Sequence, residues 1–210
     1  MIQQPLFKPQ TEWLPPEDFP DLSKYKEIAI DLETKDPDLI KMGSGSVAKR
    51  GCITGIAVAV EGWSAYYPVA HEGGGNMDKA KVFNYFRTIL KSDATKIFHN
   101  AMYDVCWLRA EGLEINGPIV DTMIATALVD ENRRRYDLNS CSREYIGTGK
   151  DEAALYEAAK DWGVDPKAEM YKLPAMYVGA YAEKDAEITL ELWKYLKQEI
   201  INQDLKSIFS

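Results

Sequence analysis

Asp31 and Glu33 are the first residues whose types and spacing suggest chemistry. Alternating, isoleucine-rich sequence predicts a strand over residues 25–32, so the two acids stand at the end of this strand. Residues i and i+2 of a strand project to the same face, and adjacent carboxylates repel unless a cation or a proton lies between them. The pair therefore suggests a cation site, although acid–x–acid triplets also arise by chance in a chain with 33 acidic residues.

A second pair, Asn100 and Asp104, follows a short predicted strand over residues 96–99 and opens a predicted helix. Their four-residue spacing places both side chains on one face of that helix. The junction lies at the carboxyl edge of the predicted sheet, where open α/β sheets tend to bind ligands. The alternative is an asparagine that caps the helix and an aspartate exposed to solvent.

The third pair, Tyr181 and Asp185, lies in a long predicted helix over residues 177–202. The i, i+4 spacing puts both on a face that continues with Ile188, Leu192 and Leu196, which we predict to be core residues. An aspartate on a buried face is uncommon unless it is paired or binds a metal. The alternative is an aspartate at the rim of the core.

Periodicity and turn signals place these pairs in an α/β fold with a mixed β-sheet flanked by α-helices. Further strands are predicted over residues 53–60, 63–69 and 119–120. Further helices are predicted over residues 78–90, 100–111, 121–129, 138–145 and 152–162. Residues 34–50 are predicted to be a loop, and the proline-rich residues 1–24 an N-terminal extended arm.

The composition indicates a single domain without a membrane segment. The chain has 210 residues, of which 25 are basic and 33 acidic, for a net charge of -8. Proteins that coat duplex DNA are usually basic, because neutralised phosphates drive their binding. The three cysteines are scattered, at positions 52, 106 and 141, and no signal segment or long apolar run is present. These features predict a cytoplasmic protein without a membrane partner.

Taken together, the three pairs resemble the motifs of the DEDD-type 3′–5′ exonucleases, which have a ribonuclease H-like fold. Tyr181, four residues before Asp185, is similar to the tyrosine subtype, because the histidine subtype carries histidine where this chain has Ala180. The segments DTMIATALVDENRRRYDLNS and LPAMYVGAYAEKDAEITLELW resemble the proofreading domain of family A (DNA polymerase I-like) enzymes, especially phage-type ones. The resemblance covers residues 25–205 and leaves no length for a polymerase domain, so we expect an excised domain or a free-standing exonuclease.

The resemblance implies hydrolysis of phosphodiester bonds with two divalent ions, Mg²⁺ or Mn²⁺, which prefer oxygen ligands. Asp31, Glu33 and Asp185 would hold the ion that activates the attacking water. Asp31 would bridge to a second ion, which Asp104 would support. Tyr181 would orient the water, because a tyrosine with an ordinary pKa near ~10 is a poor base at neutral pH.

The resemblance further implies a single-stranded DNA 3′ end as substrate and 5′-mononucleotides as products. The expected substrate-binding residues are Leu32, Thr34, His99, Asn100, Tyr103 and Arg135. Thr34 and the backbone at Leu32 would lie near the terminal nucleotide, and Tyr103 would stack on its base. Asn100 would contact the sugar–phosphate, and His99 the phosphate backbone. For Arg135, a solvent-exposed basic turn is the alternative.

Basic residues of the predicted 34–50 loop, Lys41, Lys49 and Arg50, would line the path by which the strand enters. Two other functions remain open on the sequence alone. An RNA 3′–5′ exonuclease of the ribonuclease D type shares the same four acids and the tyrosine. A catalytically silent nucleic-acid-binding module usually lacks one of the acids, and here all are present. A polymerase domain or replication proteins are the expected partners, in a bacterial or phage-infected host cell.

Overall fold

The computed structural model describes residues 11–149 and 152–209. The strands are β1 (Glu27–Lys35), β2 (Cys52–Val60), β3 (Trp63–Pro68), β4 (Thr95–Phe98) and β5 (Ile119–Asp121). The helices are α1 (Leu39–Met42), α2 (Lys79–Lys91), α3 (Ala101–Ala110), α4 (Thr122–Val129), α5 (Leu138–Tyr145), α6 (Ala153–Trp162), α7 (Gly179–Asn202) and α8 (Lys206–Phe209). Two 3₁₀-helices, Met170–Lys172 and Ala175–Tyr177, precede α7.

The strands form one mixed sheet in the order β3-β2-β1-β4-β5. Strand β2 runs antiparallel to both β1 and β3, whereas β4 runs parallel to β1 and β5 runs parallel to β4. The prediction of a mixed sheet flanked by helices is confirmed. Because β1, β4 and β5 point the same way, their carboxyl ends meet at one edge of the sheet.

The two faces of β1 and β2 carry side chains of different size. Ile28 and Ile30 of β1 point into a core of large apolar side chains, which α2 and α3 complete. On the opposite face, Ala29, Ala57 and Ala59 contribute to the core that includes α7. Since alanine is the smallest side chain with a Cβ, the long helix can lie close to the strands on this face.

Strand β1 is longer than predicted, since it continues to Lys35 rather than ending at residue 32. Glu33 therefore lies inside the strand, and the ladder with β2 has a bulge between Glu33 and Thr34. The polar sequence after Leu32 hid this continuation, because its pairing with β2 is a tertiary contact. Beyond the bulge, part of the predicted loop forms the single-turn helix α1, with no buried residue.

The described part of the predicted arm, residues 11–24, has no helix or strand and packs against the domain. The indole of Trp13 packs against Gly179 at the start of α7, where an added Cβ would lie 2.0 Å from the ring. Phe19 stacks on Tyr67, with the ring centroids 5.3 Å apart. Leu22 is buried in the core. The first ten residues of the predicted arm lie outside the described residues.

The remaining predicted strands and helices are present, with ends that differ by a few residues. The segment predicted as one helix over residues 177–202 begins as a 3₁₀ turn and becomes α-helical at Gly179. None of the helices formed by residues 11–149 and 152–209 has the length and apolar character needed to cross a bilayer.

Candidate active site

Three carboxylates meet at the carboxyl edge of the sheet. One oxygen from each of Asp31, Glu33 and Asp185 lies within 4.8 Å of the others. The first two lie in β1 and the third in α7, which crosses the sheet on the alanine face. Asp31 is opposite Ala57 and Glu33 is opposite Gly55 in the ladder with β2, so no larger side chain of β2 stands between the acids and the helix.

Helix α7 is held at a second point along β1, where the Trp193 indole N–H donates to Glu27 at 3.0 Å. Asp185 and Trp193 are separated by eight helical residues, or about 12 Å of rise. Asp31 and Glu27 are separated by four strand residues, or about 13 Å. The two spacings agree, so helix and strand can make the polar contact and the carboxylate cluster at the same time.

Asp104 lies in α3, which packs on the face of the sheet opposite to α7. It is buried, with an exposed fraction of 4%. Burial raises the pKa of this carboxyl well above its usual range, and the negative charges of Asp31 and Glu33 raise it further, while the backbone amide of Leu32 works in the opposite direction. The four acids therefore form a site that favours a neutralising positive charge.

Tyr181 lies one helical turn before Asp185 and is half-buried. Burial raises its pKa, and so do the neighbouring charges of Asp185, Glu33 and Asp31. The phenol therefore keeps its proton across the neutral pH range and acts as a hydrogen-bonding group rather than a base. The orienting role of Tyr181 stays a prediction, which a protonated phenol permits.

A buried pair that the sequence analysis missed, Tyr66 and His71, lies beside the acids. The Tyr66 hydroxyl is 2.7 Å from His71 Nε2, and His71 Nδ1 is 3.1 Å from the carbonyl of Leu173. Since a carbonyl only accepts, Nδ1 carries the proton and Nε2 accepts from the tyrosine. Burial lowers the pKa of His71 to about 4, and burial, followed by the charge of Glu33, raises that of Tyr66. The one sequence signal is Gly55, where a Cβ would lie 2.1 Å from the Tyr66 hydroxyl.

The junction at Asn100 differs from the predicted N-cap. Asn100 has a left-handed backbone, with φ 67°, and its side chain makes no capping hydrogen bond. Instead, the carboxylate of Asp121 accepts from the amides of Asn100 at 3.0 Å and Ala101 at 2.8 Å. Asp121 also accepts from the amide of Met123 and so caps α4 as well. This acid from β5 fixes the turn that carries Asn100 and Asp104.

Two of the predicted substrate residues, Thr34 and Tyr103, are in contact. The Tyr103 hydroxyl donates to Asp36 at 3.1 Å, so the Thr34 hydroxyl, 2.8 Å away, donates to the tyrosine oxygen. Burial raises the pKa of Tyr103 to about 12. The edge of its ring packs against Trp107, with centroids 6.4 Å apart. The side chain of Leu32 is buried, with an exposed fraction of 7%, which leaves its backbone for the predicted contact.

For His99 and Arg135 the structure gives less support to a direct contact with the substrate than it does for Thr34 and Tyr103. Both ring nitrogens of His99 bond within the protein, Nδ1 to the Thr122 hydroxyl and Nε2 to the Tyr136 carbonyl, each at 2.8 Å. The phosphate contact predicted for His99 therefore requires one of these bonds to rearrange. Arg135 is exposed in the turn before α5 and lines a shallow cavity together with Arg133 and Arg134. This geometry is that of the solvent-exposed basic turn.

The sheet order and the acidic edge are those of a ribonuclease H-like nuclease, and solved structures share this fold. Brucella melitensis NrnC with bound Mg²⁺ aligns with a TM-score of 0.60 and 18% identity, over 89% of this chain and 79% of that one. Escherichia coli RNase D, described as an exoribonuclease involved in structured RNA processing, aligns with a TM-score of 0.58 and 18% identity, over 88% and 42%. At this identity the likeness concerns the fold.

The sequence profile of a 3′–5′ exonuclease family of A-type DNA polymerases matches residues 10–201. The chain belongs to this family, and it is a proofreading-type 3′–5′ exonuclease domain, a hydrolase of phosphodiester bonds. A DNA-directed DNA polymerase of Pseudomonas phage M6 is 37% identical over all of this chain and 33% of its own length. DNA polymerase I of Pseudomonas aeruginosa is 28% identical over 85% of this chain and 19% of its own length. The chain thus spans a third or less of these relatives.

Proposed function

We propose that the domain hydrolyses the last phosphodiester bond of single-stranded DNA 3′ ends and releases 5′-mononucleotides. The observation that carries this proposal is the cluster of Asp31, Glu33 and Asp185, whose oxygens lie within 4.8 Å of one another. Buried Asp104 adds a fourth carboxylate at the same edge. Membership of the exonuclease family supports the direction of digestion.

The donor set fits Mg²⁺ or Mn²⁺, since these ions prefer carboxylate and water oxygens. Asp31, Glu33 and Asp185 would hold one ion, and Asp31 and Asp104 a second. When bound, the two ions would supply Lewis-acid activation of water and stabilisation of the leaving 3′ oxygen. The rest of the mechanism lies in the side chains of this chain.

The protein groups position the reacting atoms. Tyr181 keeps its proton, so its hydroxyl can donate to or accept from the attacking water and fix its approach. Thr34 and the backbone at Leu32 border the acids at the bulge of β1, where the terminal nucleotide would lie. The hydrogen bonds of Tyr103 to Thr34 and Asp36 hold its ring rigid for stacking against the last base. Asn100, at the turn fixed by Asp121, would contact the sugar–phosphate.

The choice of DNA over RNA rests on the relatives, which are named DNA polymerases. Their greater length also leads us to propose a polymerase domain as partner, in a bacterial or phage-infected host cell. The second candidate substrate is the 3′ end of RNA, which the fold likeness to RNase D favours. A DNA exonuclease and an RNA exonuclease would use the same acids, so a comparison of rates on DNA and RNA is needed to distinguish them.

The test is digestion of oligonucleotides labelled at the 3′ or the 5′ end, as DNA and as RNA, with Mg²⁺, Mn²⁺ or EDTA. We expect loss of the 3′ label, ladders that shorten from the 3′ end, and a faster rate on DNA. EDTA should stop the reaction. Digestion from the 5′ end, or full activity in EDTA, would refute the proposal. A faster rate on RNA than on DNA would mean that the substrate is RNA. Glu191→Gln, at an exposed position of α7, is the matched control and should keep full activity.

A further inference from the structure

Between β1 and β2, residues 39–50 form a segment whose charge is opposite to that of the whole chain; we refer to it as the basic segment. It contains Lys41, Lys49 and Arg50 and no acid, whereas the chain has a net charge of -8. Both lysines are exposed. Within the part of the chain that the structure describes, neither lysine is in an ion pair. Half-buried Arg50 instead donates to the carbonyls of Met42 and Gly43 and so folds the segment.

The same segment exposes apolar side chains beside its cations. Ile40 is 95% exposed, Val47 is 86% exposed and Met42 is 61% exposed. These three exposed apolar side chains lie within eight residues of the chain, and apolar patches on a protein surface often mark interaction sites. Cations next to apolar side chains suit a nucleic acid strand with splayed bases, because such a strand offers phosphates and base faces alternately.

The basic segment is fixed to the proposed substrate site. Asp36 accepts from the Gly45 amide, with both oxygens at 3.1–3.2 Å, and from the Tyr103 hydroxyl. At the other end, Gly51 lies directly against the backbone of β1, since an added Cβ would be 1.8 Å from the carbonyl oxygen of Lys35. The segment therefore stands next to the residues proposed to hold the terminal nucleotide.

One lysine of the segment occupies a backbone position that suits glycine. Lys49 has a φ of 53°, one of three non-glycine residues with positive φ among the described residues. A bulky side chain at positive φ is uncommon, and such strain clusters at functional sites. The backbone conformation does not require a lysine, which points to a use for its charge.

We propose that the basic segment is a second contact surface for single-stranded DNA, which holds the nucleotides upstream of the 3′-terminal one. This inference rests on the proposed function and adds to it a surface outside the four-acid site. Lys41 and Lys49 contact the phosphates, and Ile40 and Val47 support the base faces. The contact is independent of base identity and acts only on strands longer than the few nucleotides that fill the site.

The test compares a dinucleotide, pTpT, with the decanucleotide dT10 as substrates of the double variant Lys41→Ala/Lys49→Gly. Glycine accepts the φ at position 49, so the variant should keep the folded structure. For dT10 we expect an unchanged kcat and a KM raised on the order of tenfold at 0.1 M salt, with the salt slope reduced by about 1.4, since each single-strand phosphate contact contributes about 0.7. For pTpT both constants should be unchanged.

The matched control is Lys24→Ala/Lys91→Ala, which removes the same charge from exposed positions at the opposite edge of the sheet and should leave dT10 kinetics unaltered. Equal KM values of the segment variant and the intact protein on dT10 would overturn the inference. A KM raised equally for pTpT, or equally by the control, would also overturn it, because general charge would then explain the effect.

Binding measured without turnover separates this inference from the proposed function. Fluorescence anisotropy with labelled dT10 in EDTA should show the same weakening in the segment variant. If the intact protein binds dT10 through the segment but never shortens it in Mn²⁺, the proposed function fails and the surface stands. If the intact protein shortens dT10 and the variant binds it equally well, the surface fails, and docking of another protein domain becomes the use of the apolar side chains.

Discussion

At the scale of single residues, we propose different roles for the acids and the tyrosine, although they lie in one site. Asp31 and Glu33 both belong to the close carboxylate cluster, and the charges of both act on Asp104 and Tyr181. Asp31 differs from Glu33 in its proposed role, since it would be a ligand of both ions. Tyr181 contributes one hydroxyl that keeps its proton. The loss of a shared ligand and the loss of an orienting hydroxyl should therefore differ in size.

We predict that Asp31→Ala removes nearly all activity, whereas Tyr181→Phe leaves measurable residual activity. A positioned proton-handling or hydrogen-bonding group contributes about 10²–10⁴-fold, so Tyr181→Phe should be slower by a factor in that range. Single-turnover rates on dT10 at saturating Mn²⁺ provide the comparison, with Glu191→Gln as control. Equal losses for the two variants, or a larger loss for Tyr181→Phe, would contradict the assigned roles.

His71 supplies a residue-scale prediction that needs no activity. Its folded pKa of about 4 lies below the ordinary value near ~6.5, so the folded chain binds fewer protons than the unfolded chain between these pH values. Stability from the Tyr66–His71 pair is therefore full above pH ~6.5 and declines as the pH falls towards 4, by at most about 1.4 kcal/mol per pH unit. A titration of the His71 ring protons by NMR should show a midpoint near 4. A midpoint near 6.5 would mean that the ring is accessible to water.

At the scale of elements, the start of α7 packs against the N-terminal arm. Gly179 is the first residue of this helix, and the Trp13 indole occupies the space of its missing Cβ. The indole N–H donates to Glu183 at 2.9 Å, and Glu183 also accepts from the backbone amide of Tyr66 at 3.0 Å. Arm, sheet and helix thus meet within one turn of Tyr181.

We predict that Gly179→Ala destabilises the intact protein although alanine is the better helix former by about 1 kcal/mol. The new methyl group would collide with the indole, and overpacking of this kind costs about 1–3 kcal/mol. In a Trp13→Ala background the space is open, and the same substitution should be neutral or stabilising. Urea unfolding of the four proteins of this cycle measures the coupling. An equal effect of Gly179→Ala in both backgrounds would show that the indole does not pack there.

The elements themselves were largely predictable, because their hydrophobic periodicity is local. Contacts between distant parts of the chain were not. Asp121 caps α3 from a strand twenty residues away, and the sequence suggested Asn100 as the cap because it is the local candidate. Lys96 is fully buried and donates to backbone carbonyls, including that of Asn116 at 2.8 Å. From the sequence alone, a lysine at the start of a strand would be expected to be exposed to solvent.

The site was predictable for a similar reason. The spacing within each acidic pair is a local property, and the regular geometry of strand and helix converts spacing into a shared face. The Tyr66–His71 pair could not be found in this way, because a histidine in a loop has no periodicity. Its one trace was Gly55 in the middle of a strand, a position where another group often approaches the backbone closely.

At the scale of the whole molecule, the net charge of -8 and the buried acids make the domain sensitive to cations. Asp104 has a raised pKa in the folded chain, so the folded chain binds more protons than the unfolded one above pH ~3.9. Without metal, this carboxyl therefore lowers stability as the pH rises from about 4 through its folded pKa. A bound cation offsets that loss.

We predict that Mn²⁺ raises the melting temperature of the intact protein at neutral pH. Binding to the folded state alone contributes about 2.7 kcal/mol at a hundredfold excess over Kd. Asp104→Asn should melt higher than the intact protein in EDTA, lose less stability as the pH rises above about 4, and gain less from Mn²⁺. Melting curves of both proteins with EDTA or Mn²⁺ test this. A variant that melts lower in EDTA and gains as much from Mn²⁺ would show that Asp104 is an ordinary buried acid.

The alanine face of the sheet has a consequence for how such domains diverge. Ala29, Ala57 and Ala59 have no reactive group, yet their size sets how near α7 can come to β1. A larger side chain at any of them would shift Asp185 away from Asp31 while every motif stayed intact. Among related sequences, inactivity can therefore arise without the loss of a single acid. Activity inferred from the presence of the four acids alone would be wrong for such chains. The residues at positions 29, 57 and 59 should therefore be compared as well.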